Sequence, residues 1–327
     1  MEIAKLYFTS PLHLSKGKSV LDESFDVLHA DTLKSALFVC ALELGLVTGD
    51  DAKSFLESFT ISSAFPFVEK ELFFPKPEWI SSALTGSLAE NDKKKFKKIH
   101  FIGQTFFETI LDGTLNALDN KCFKETKYYT ATDIGENQPY KSETVQRVVV
   151  NRTGEEEPTT FYTERLYFTE GCGLYFIINV PDAKRDIINA ALKLLGDNGI
   201  GSDKSVGNGQ FEFNGFEPFD FQEAKDAKHQ IALSLYCPTE TEIKDEAFLN
   251  DSAYSLIKRG GYIANPDNFN NSTLRKKSIV MFTEGSVFPR SKTLVGDVKD
   301  LKPNMPTVEH SIWRDGRALF LPYNLKR

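Results

Sequence analysis

Two Gly-x-Gly pairs, Gly199-Ile200-Gly201 and Gly207-Asn208-Gly209, bracket the run Ser202-Asp203-Lys204-Ser205-Val206. Glycine tolerates positive φ and close backbone approach, so such a loop turns sharply and can expose N–H groups to anionic oxygens. Its flanks constrain it further. Upstream, Ile187, Ile188, Ala191, Leu192, Leu194 and Leu195 recur at helical spacing, with Asp182 as N-cap and Gly196 as stop. Downstream, Gln210-Phe211-Glu212-Phe213 alternates as a strand does. The loop therefore leaves a helix and enters a strand. A dinucleotide fingerprint or a P-loop runs the other way, from strand to helix, with phosphate on the helix N-terminus. Gly17-Lys18-Ser19 resembles a P-loop tail, but Leu12 stands where its first glycine belongs. Nucleotide hydrolysis is disfavoured. A surface loop or a ligand-gripping loop both fit the composition.

Length and charge narrow the class. The 327 residues suit two domains, and 41% hydrophobic content with 27 Phe supplies a large core. The net charge of −7 is unlike a freestanding nucleic-acid binder, so any RNA contact must come from a local patch. Cys40, Cys122, Cys172 and Cys237 lie far apart without ligand-spaced histidines, which predicts buried thiols in a reducing cytoplasm and no zinc site. Met1-Glu2-Ile3-Ala4-Lys5 has no signal-peptide character, and no apolar run reaches membrane-spanning length. No cofactor or metal is expected, and the expected location is cytoplasmic.

Along the chain, Ile3 to Phe8 reads as a strand, and Asp31 caps a helix carrying Leu33, Ala36, Leu37, Cys40, Ala41 and Leu44 that ends at Gly45. Phe65 to Val68 and Glu71 to Phe74 are strand pieces. Lys93 to Lys98 holds five lysines around Phe96, either a solvated helix face or a phosphate track. Val145 to Val150 and Phe161 to Phe168 form the arms of a hairpin with a polar tip at Asn151 to Pro158. Gly173 to Val180 is apolar enough for a sheet centre. The order β-α-insert-β-hairpin-β-α-β is that of a ferredoxin-like (RRM-like) split unit with insertions, closing near residue 220. After it come strands at His229 to Tyr236, at Tyr254 to Ile263 broken by Gly260-Gly261, and at Ser278 to Phe282. Asp315-Gly316 reads as a hairpin turn before a last strand at Arg317 to Leu321. The predicted class is α+β: a ferredoxin-like domain over residues 1–220 and a β-rich, degenerate ferredoxin-like domain over 221–327.

Three stretches then resemble one family: Asp31-Thr32-Leu33-Lys34-Ser35-Ala36-Leu37, Ser205-Val206-Gly207-Asn208-Gly209-Gln210-Phe211, and Trp313-Arg314-Asp315-Gly316-Arg317-Ala318-Leu319-Phe320. They span nearly the whole chain in the family's order. The chain resembles the RAMP superfamily of CRISPR effector proteins and, within it, is similar to the fourth Csm subunit of type III-A complexes. The stretch around Asn151-Arg152-Thr153-Gly154 falls where that family places a hairpin thumb. Near the N-terminus Gly17 comes later after Leu12-His13 than the family's pattern has it.

The resemblance implies a non-catalytic subunit that holds the 5′ tag of CRISPR RNA. It also implies docking to a large polymerase-like subunit and to a backbone subunit. Chemically, single-stranded RNA needs backbone or side-chain donors and cations along a groove. The candidates are Gly199, Gly201, Lys204, Ser205, Gly207 and Gly209 in the loop, Arg147, Arg152 and Arg165 on the hairpin, and His13, Lys16 and His29 near the first strand and helix. Arg259, Arg290 and Arg314 are further candidates in the second half. Two rival readings stay open. One is a metal-independent CRISPR repeat endoribonuclease using His13 or His29 with Tyr7 nearby; the other is an adaptor that binds only protein.

Overall fold

In the computed structural model, residues 1–16, 22–86, 88–124, 127–134, 138–150, 157–245, 248–263, 274–290, 293–305 and 308–325 are described. Gly17-Lys18-Ser19 and the hairpin tip with Arg152 lie outside them.

Alternation makes the first strand, β1 (Glu2–Phe8), two-faced: Ala4 and Leu6 are buried on one side and Ile3 on the other. Helix α1 (Ala30–Glu43) buries Leu33, Leu37, Cys40 and Ala41, spaced i, i+4, i+7, i+8. Helix α2 (Ala52–Glu57) leads into β2 (Thr60–Ile61), β3 (Phe65–Val68) and β4 (Glu71–Pro75). An insert follows: α3 (Ser82–Gly86), α4 (Glu90–Lys98), β5 (Phe101–Gly103), α5 (Gln104–Asp112), β6 (Phe123–Lys124) and β7 (Tyr128–Tyr129). The lysine-rich run is α4, anchored by buried Phe96, with Lys93 and Lys95 paired to Glu90 and Asp92 one turn earlier.

The hairpin has ten-residue arms, β8 (Tyr140–Val149) and β9 (Thr159–Phe168), in register from Tyr140↔Phe168 to Val149↔Thr159. Strand β10 (Cys172–Asn179) is apolar along its length because both its faces are covered. Helix α6 (Asp182–Asn198) then leads through the glycine loop to β11 (Phe211–Glu212) and β12 (Phe216–Pro218).

Apart from β8 and β9, which make a two-stranded sheet of their own, these strands form one ten-stranded sheet in the order β11-β1-β10-β3-β4-β5-β7-β6, with β12 also on β1 and β2 also on β10. Helices α1 and α6 pack together on one face, over Ala4, Leu6, Leu174, Phe176 and Ile178. The second half covers part of the other face. It comprises β13 (His229–Ala232), α7 (Glu240–Lys244), β14 (Leu256–Arg259), β15 (Ile279–Phe282), β16 (Val287–Pro289), β17 (Val298–Asp300), β18 (Trp313–Asp315) and β19 (Phe320–Tyr323). The three-stranded sheet β16-β13-β19 sends Ile231, Val287, Leu321 and Tyr323, with Leu233 and Leu319 flanking its strands, into the same core as Phe65, Phe67, Phe74 and Tyr175. All four cysteines are buried free thiols. Among the described residues no helix is long and apolar enough to cross a membrane.

Four local expectations are corrected. Asp182 is the first residue of α6 rather than its cap, a position held by Pro181. Asp31 is not the cap of α1: His29 holds that position, and the first amide, Ala30 N–H, donates to Ser63 Oγ at 2.9 Å. Gly196 does not stop α6, which runs to Asn198. A Cβ at Gly196 would stand 2.4 Å from the Phe211 carbonyl oxygen, so this glycine admits the following strand. Asp315-Gly316 is not a hairpin turn, since β18 pairs with β17 and β19 with β13. Gly316 is required by contact, its Cβ position lying 2.3 Å from Cys237 Cβ.

Candidate nucleic-acid interface

Two of the resembling stretches meet. Asp31 and Lys34, one turn apart on α1, face Arg314, Asp315 and Arg317 at the end of the chain. Asp31 accepts from Arg259 Nε and Nη2, both at 3.1 Å, and from Arg314 Nη1. Burial would push the Asp31 carboxyl up, but Arg259 and Arg314 outweigh it and hold it far below the usual carboxylate range. Lys34 donates to Asp315 and to the carbonyls of Leu56 and Phe59 at 2.6 and 2.7 Å. Burial lowers its ammonium to about 8 against the opposing pull of Asp315. Arg317 adds a fork onto Asp315 at 3.1 and 3.0 Å. This network ties α1 to the second half.

Beside it runs a cleft of about 1070 Å³. Its walls are residues 14–16, the exposed side of α1 (Thr32, Ser35, Ala36, Val39), part of the glycine loop, and the end of the ribbon β14–β15, with residues 258–262, Arg275, Lys276 and Ser278. Six lining residues are lysine or arginine: Lys16, Lys204, Lys258, Arg259, Arg275 and Lys276; one, Glu43, is acidic. In a chain of net charge −7 this concentrates positive potential in one groove.

The sequence candidates divide. Lys16, His29, Gly199, Gly201 and Lys204 line the cleft; His13, Arg147, Arg165, Ser205, Gly207 and Gly209 do not. Arg152 lies outside the described residues. Of the second-half candidates, Arg259 lines the cleft, Arg314 is buried behind it, and exposed Arg290 follows β16 away from it.

The loop is crowded by protein. Cβ positions at Gly199, Gly201 and Gly209 would fall 2.5, 2.6 and 1.8 Å from the carbonyl oxygens of Asn208, His13 and Ile200. Gly207, at φ +82°, has open space around it. The N–H groups of Ile200, Ser202, Val206, Gly207 and Gly209 all donate to carbonyls of the chain. The loop thus offers the exposed side chains of Lys204 and Ser205 rather than a row of amides over those positions.

Asp203 in the same loop clamps the hairpin: Arg147 Nη1 reaches it at 2.9 Å and Arg165 Nη2 at 3.6 Å. The histidines are inward. His13 Nδ1 lies 2.7 Å from the Glu164 carbonyl oxygen and His29 Nδ1 2.8 Å from a Glu284 carboxylate oxygen, so both Nδ1 atoms carry the proton. Among the described residues the Nε2 atoms of both rings are buried without a partner. Burial would raise the Glu284 carboxyl, but His29 and the Ser63 hydroxyl hold it below its ordinary value. Lys16 is exposed and paired with Glu23 at 2.8 Å.

Sequence reasoning missed Lys258, Arg275 and Lys276. The signal was present as Lys258-Arg259-Gly260-Gly261 and Arg275-Lys276-Lys277, two basic clusters that only the ribbon's pairing brings to one wall.

Comparison with known proteins adds the family. The model of the RAMP superfamily matches residues 5–212, and that of the CRISPR Csm4 C-terminal domain matches residues 225–323. Among curated proteins, CRISPR system Cms protein Csm4 of Streptococcus thermophilus is 25% identical over 326 residues, covering 97% of each chain. The protein of the same name from Methanocaldococcus jannaschii is 23% identical over 381 residues, covering 100% of this chain and 98% of the other. Among solved structures, a chain of the Csm3-Csm4 subcomplex of a type III-A CRISPR-Cas interference complex superposes with TM-score 0.67 at 21% identity, covering 99% of this chain and 100% of that one. A chain of a Csm1-Csm4 cassette gives TM-score 0.61 at 19% identity, covering 100% and 99%. At these identities the superpositions speak to fold.

Proposed function

The chain belongs to the RAMP superfamily, and on that premise we propose that it is the Csm4-type subunit of a type III-A CRISPR complex, holding the 5′ tag of the guide RNA in the basic cleft. The carrying observation is the cleft itself: six cations against one acid in an otherwise acidic chain. Phosphate contacts supply most of the affinity in such grooves, and the apolar residues between them accept unstacked bases. In this reading residues 1–220 are a ferredoxin-like unit, supported by the strand order β11-β1-β10-β3 with α1 and α6 on one face. Residues 221–327 are its degenerate partner. The relatives' assemblies with Csm1 and Csm3 support the corresponding partners here, a large polymerase-like subunit and a backbone subunit in a cytoplasmic complex.

The proposed role is non-catalytic. A histidine acting on a 2′-hydroxyl needs a free ring nitrogen within reach of RNA. His13 lies away from the cleft; His29 lines it, but the Nε2 atom of each ring is buried from solvent and each Nδ1 is committed to a protein oxygen. The test is co-purification of the full-length chain from cells carrying the rest of the complex. A short RNA with a uniform 5′ end and a large partner subunit are expected. Recovery of partners without RNA would leave the adaptor reading instead.

A further inference from the structure

Around Asp31 the charges do not balance. Arg259, Arg314 and Lys276 act on one another and on this carboxylate, and Arg259 and Arg314 occupy it with hydrogen bonds. Among the described residues no carboxylate lies within ion-pair distance of Lys276. Its aliphatic stem lies against Gly261, where a Cβ would come within 3.6 Å of Lys276 Cε. Arg314 Nη2 reaches across to the Gly260 carbonyl oxygen at 3.1 Å, fixing the ribbon's end beside α1. Lys276 and Arg259 both line the cleft.

We propose that Lys276, with Arg259 beside it, seats one phosphate of the single-stranded RNA that the cleft holds. The assignment rests on the RNA-binding reading and adds to it a particular contact on the second half of the chain. Among the described residues this half-buried ammonium has no carboxylate of its own, and a phosphate supplies a partner in hydrogen-bonding form. Asp31 is a positioning residue here: it neutralises part of the Arg259–Arg314 pair and holds Arg259 in place. The groups facing the seat are Asp31 and His29 at the start of α1, Lys258 and Arg259 on β14, Tyr262 and Arg275 next to the ribbon, and Arg314 on β18. Burial first, then repulsion from Arg314 and Arg259 against the pull of Asp31, lowers the Lys276 ammonium to about 8. The contact therefore weakens as pH rises past that value.

The experiment titrates a short fluorescein-labelled single-stranded RNA with the full chain and its variants, by anisotropy, between about pH 7 and about pH 9 and over a salt series. Wild-type affinity is expected to fall several-fold across that pH range. Lys276→Arg keeps the affinity at neutral pH and flattens the profile, because a guanidinium does not titrate there. Lys276→Met loses affinity about tenfold at neutral pH. It also lowers the slope of log K against log salt by about 0.7, the value of one single-strand phosphate contact. Melting of Lys276→Met stays at or above wild type, since the change removes a repelled cation. Wild-type affinity and salt slope in Lys276→Met overturn the seat while leaving RNA binding by the cleft standing. No RNA binding by the wild type overturns both. Intact RNA affinity with lost co-elution of the large partner subunit would assign the seat to a partner's carboxylate and overturn this assignment.

Discussion

A helical aspartate and a C-terminal arginine, far apart in sequence, share one buried contact, and its energetics are asymmetric. A buried ion pair adds little net stability over a well-packed apolar pair, but removing one partner strands the other. Asp31→Asn leaves Arg259 and Arg314 facing a neutral amide, and the expected loss is about 3–5 kcal/mol by urea titration. Lys34→Met costs less, because Asp315 keeps the Arg317 fork. Equal losses in the two variants would show that the network is not divided in this way. The same carboxylate sets an acid limit. The folded Asp31 carboxyl is depressed, as is that of Asp26, where burial is outweighed by His100, Lys127 and Tyr140. Such groups contribute stability that is complete above the unfolded carboxylate range near pH 4 and is lost as pH falls below it. Stability that stays level down to pH ~3 would contradict this assignment.

The glycine loop and the hairpin act as a joined element. Gly209→Ala would drive a Cβ into the Ile200 carbonyl and is expected to unseat the loop, whereas Gly207→Ala meets open space and pays only for positive φ, about 1 kcal/mol. Thermal melts of the two variants should separate widely. If they do not, the loop relaxes more readily than its contacts imply. Asp203 holds Arg147 and Arg165. If these arginines serve RNA, Asp203→Asn frees their charge and RNA affinity rises several-fold, measured as a shift in half-saturation; a fall would mean that the clamp itself positions the hairpin. At this scale much was legible from the chain: the helix, loop and strand order, the hairpin arms, and β10 as a sheet centre all follow from periodicity. The loop's crowding against residues 11–13 was not, because a glycine's neighbour in space leaves no local pattern. For the same reason Asp31 looks like a cap in sequence. Its role comes from Arg259 and Arg314, more than two hundred residues away.

Over the whole molecule, the two halves that match separate family models share one interior. Ile231, Leu233, Val287, Leu319, Leu321 and Tyr323 are buried among the aromatic residues of the first half. At roughly 1.5–3 kcal/mol per buried side chain, stripping these six away would cost on the order of 10 kcal/mol. That is comparable to the entire stability of an ordinary domain, ~5–15 kcal/mol. The Asp31–Arg314 and Lys34–Asp315 contacts would be lost with them, leaving a buried lysine and aspartate on α1 unpaired. Residues 1–220 expressed alone are therefore expected to lack fixed side-chain packing, seen as lost near-ultraviolet dichroism with helix signal retained. Supplying residues 221–327 as a separate chain should restore the packing. A cooperative unfolding transition from 1–220 by itself would show that the shared core is an addition to a self-sufficient unit. If instead the halves fold only together, the cleft between α1 and the ribbon is set by that shared interior, and its width is fixed before any RNA arrives.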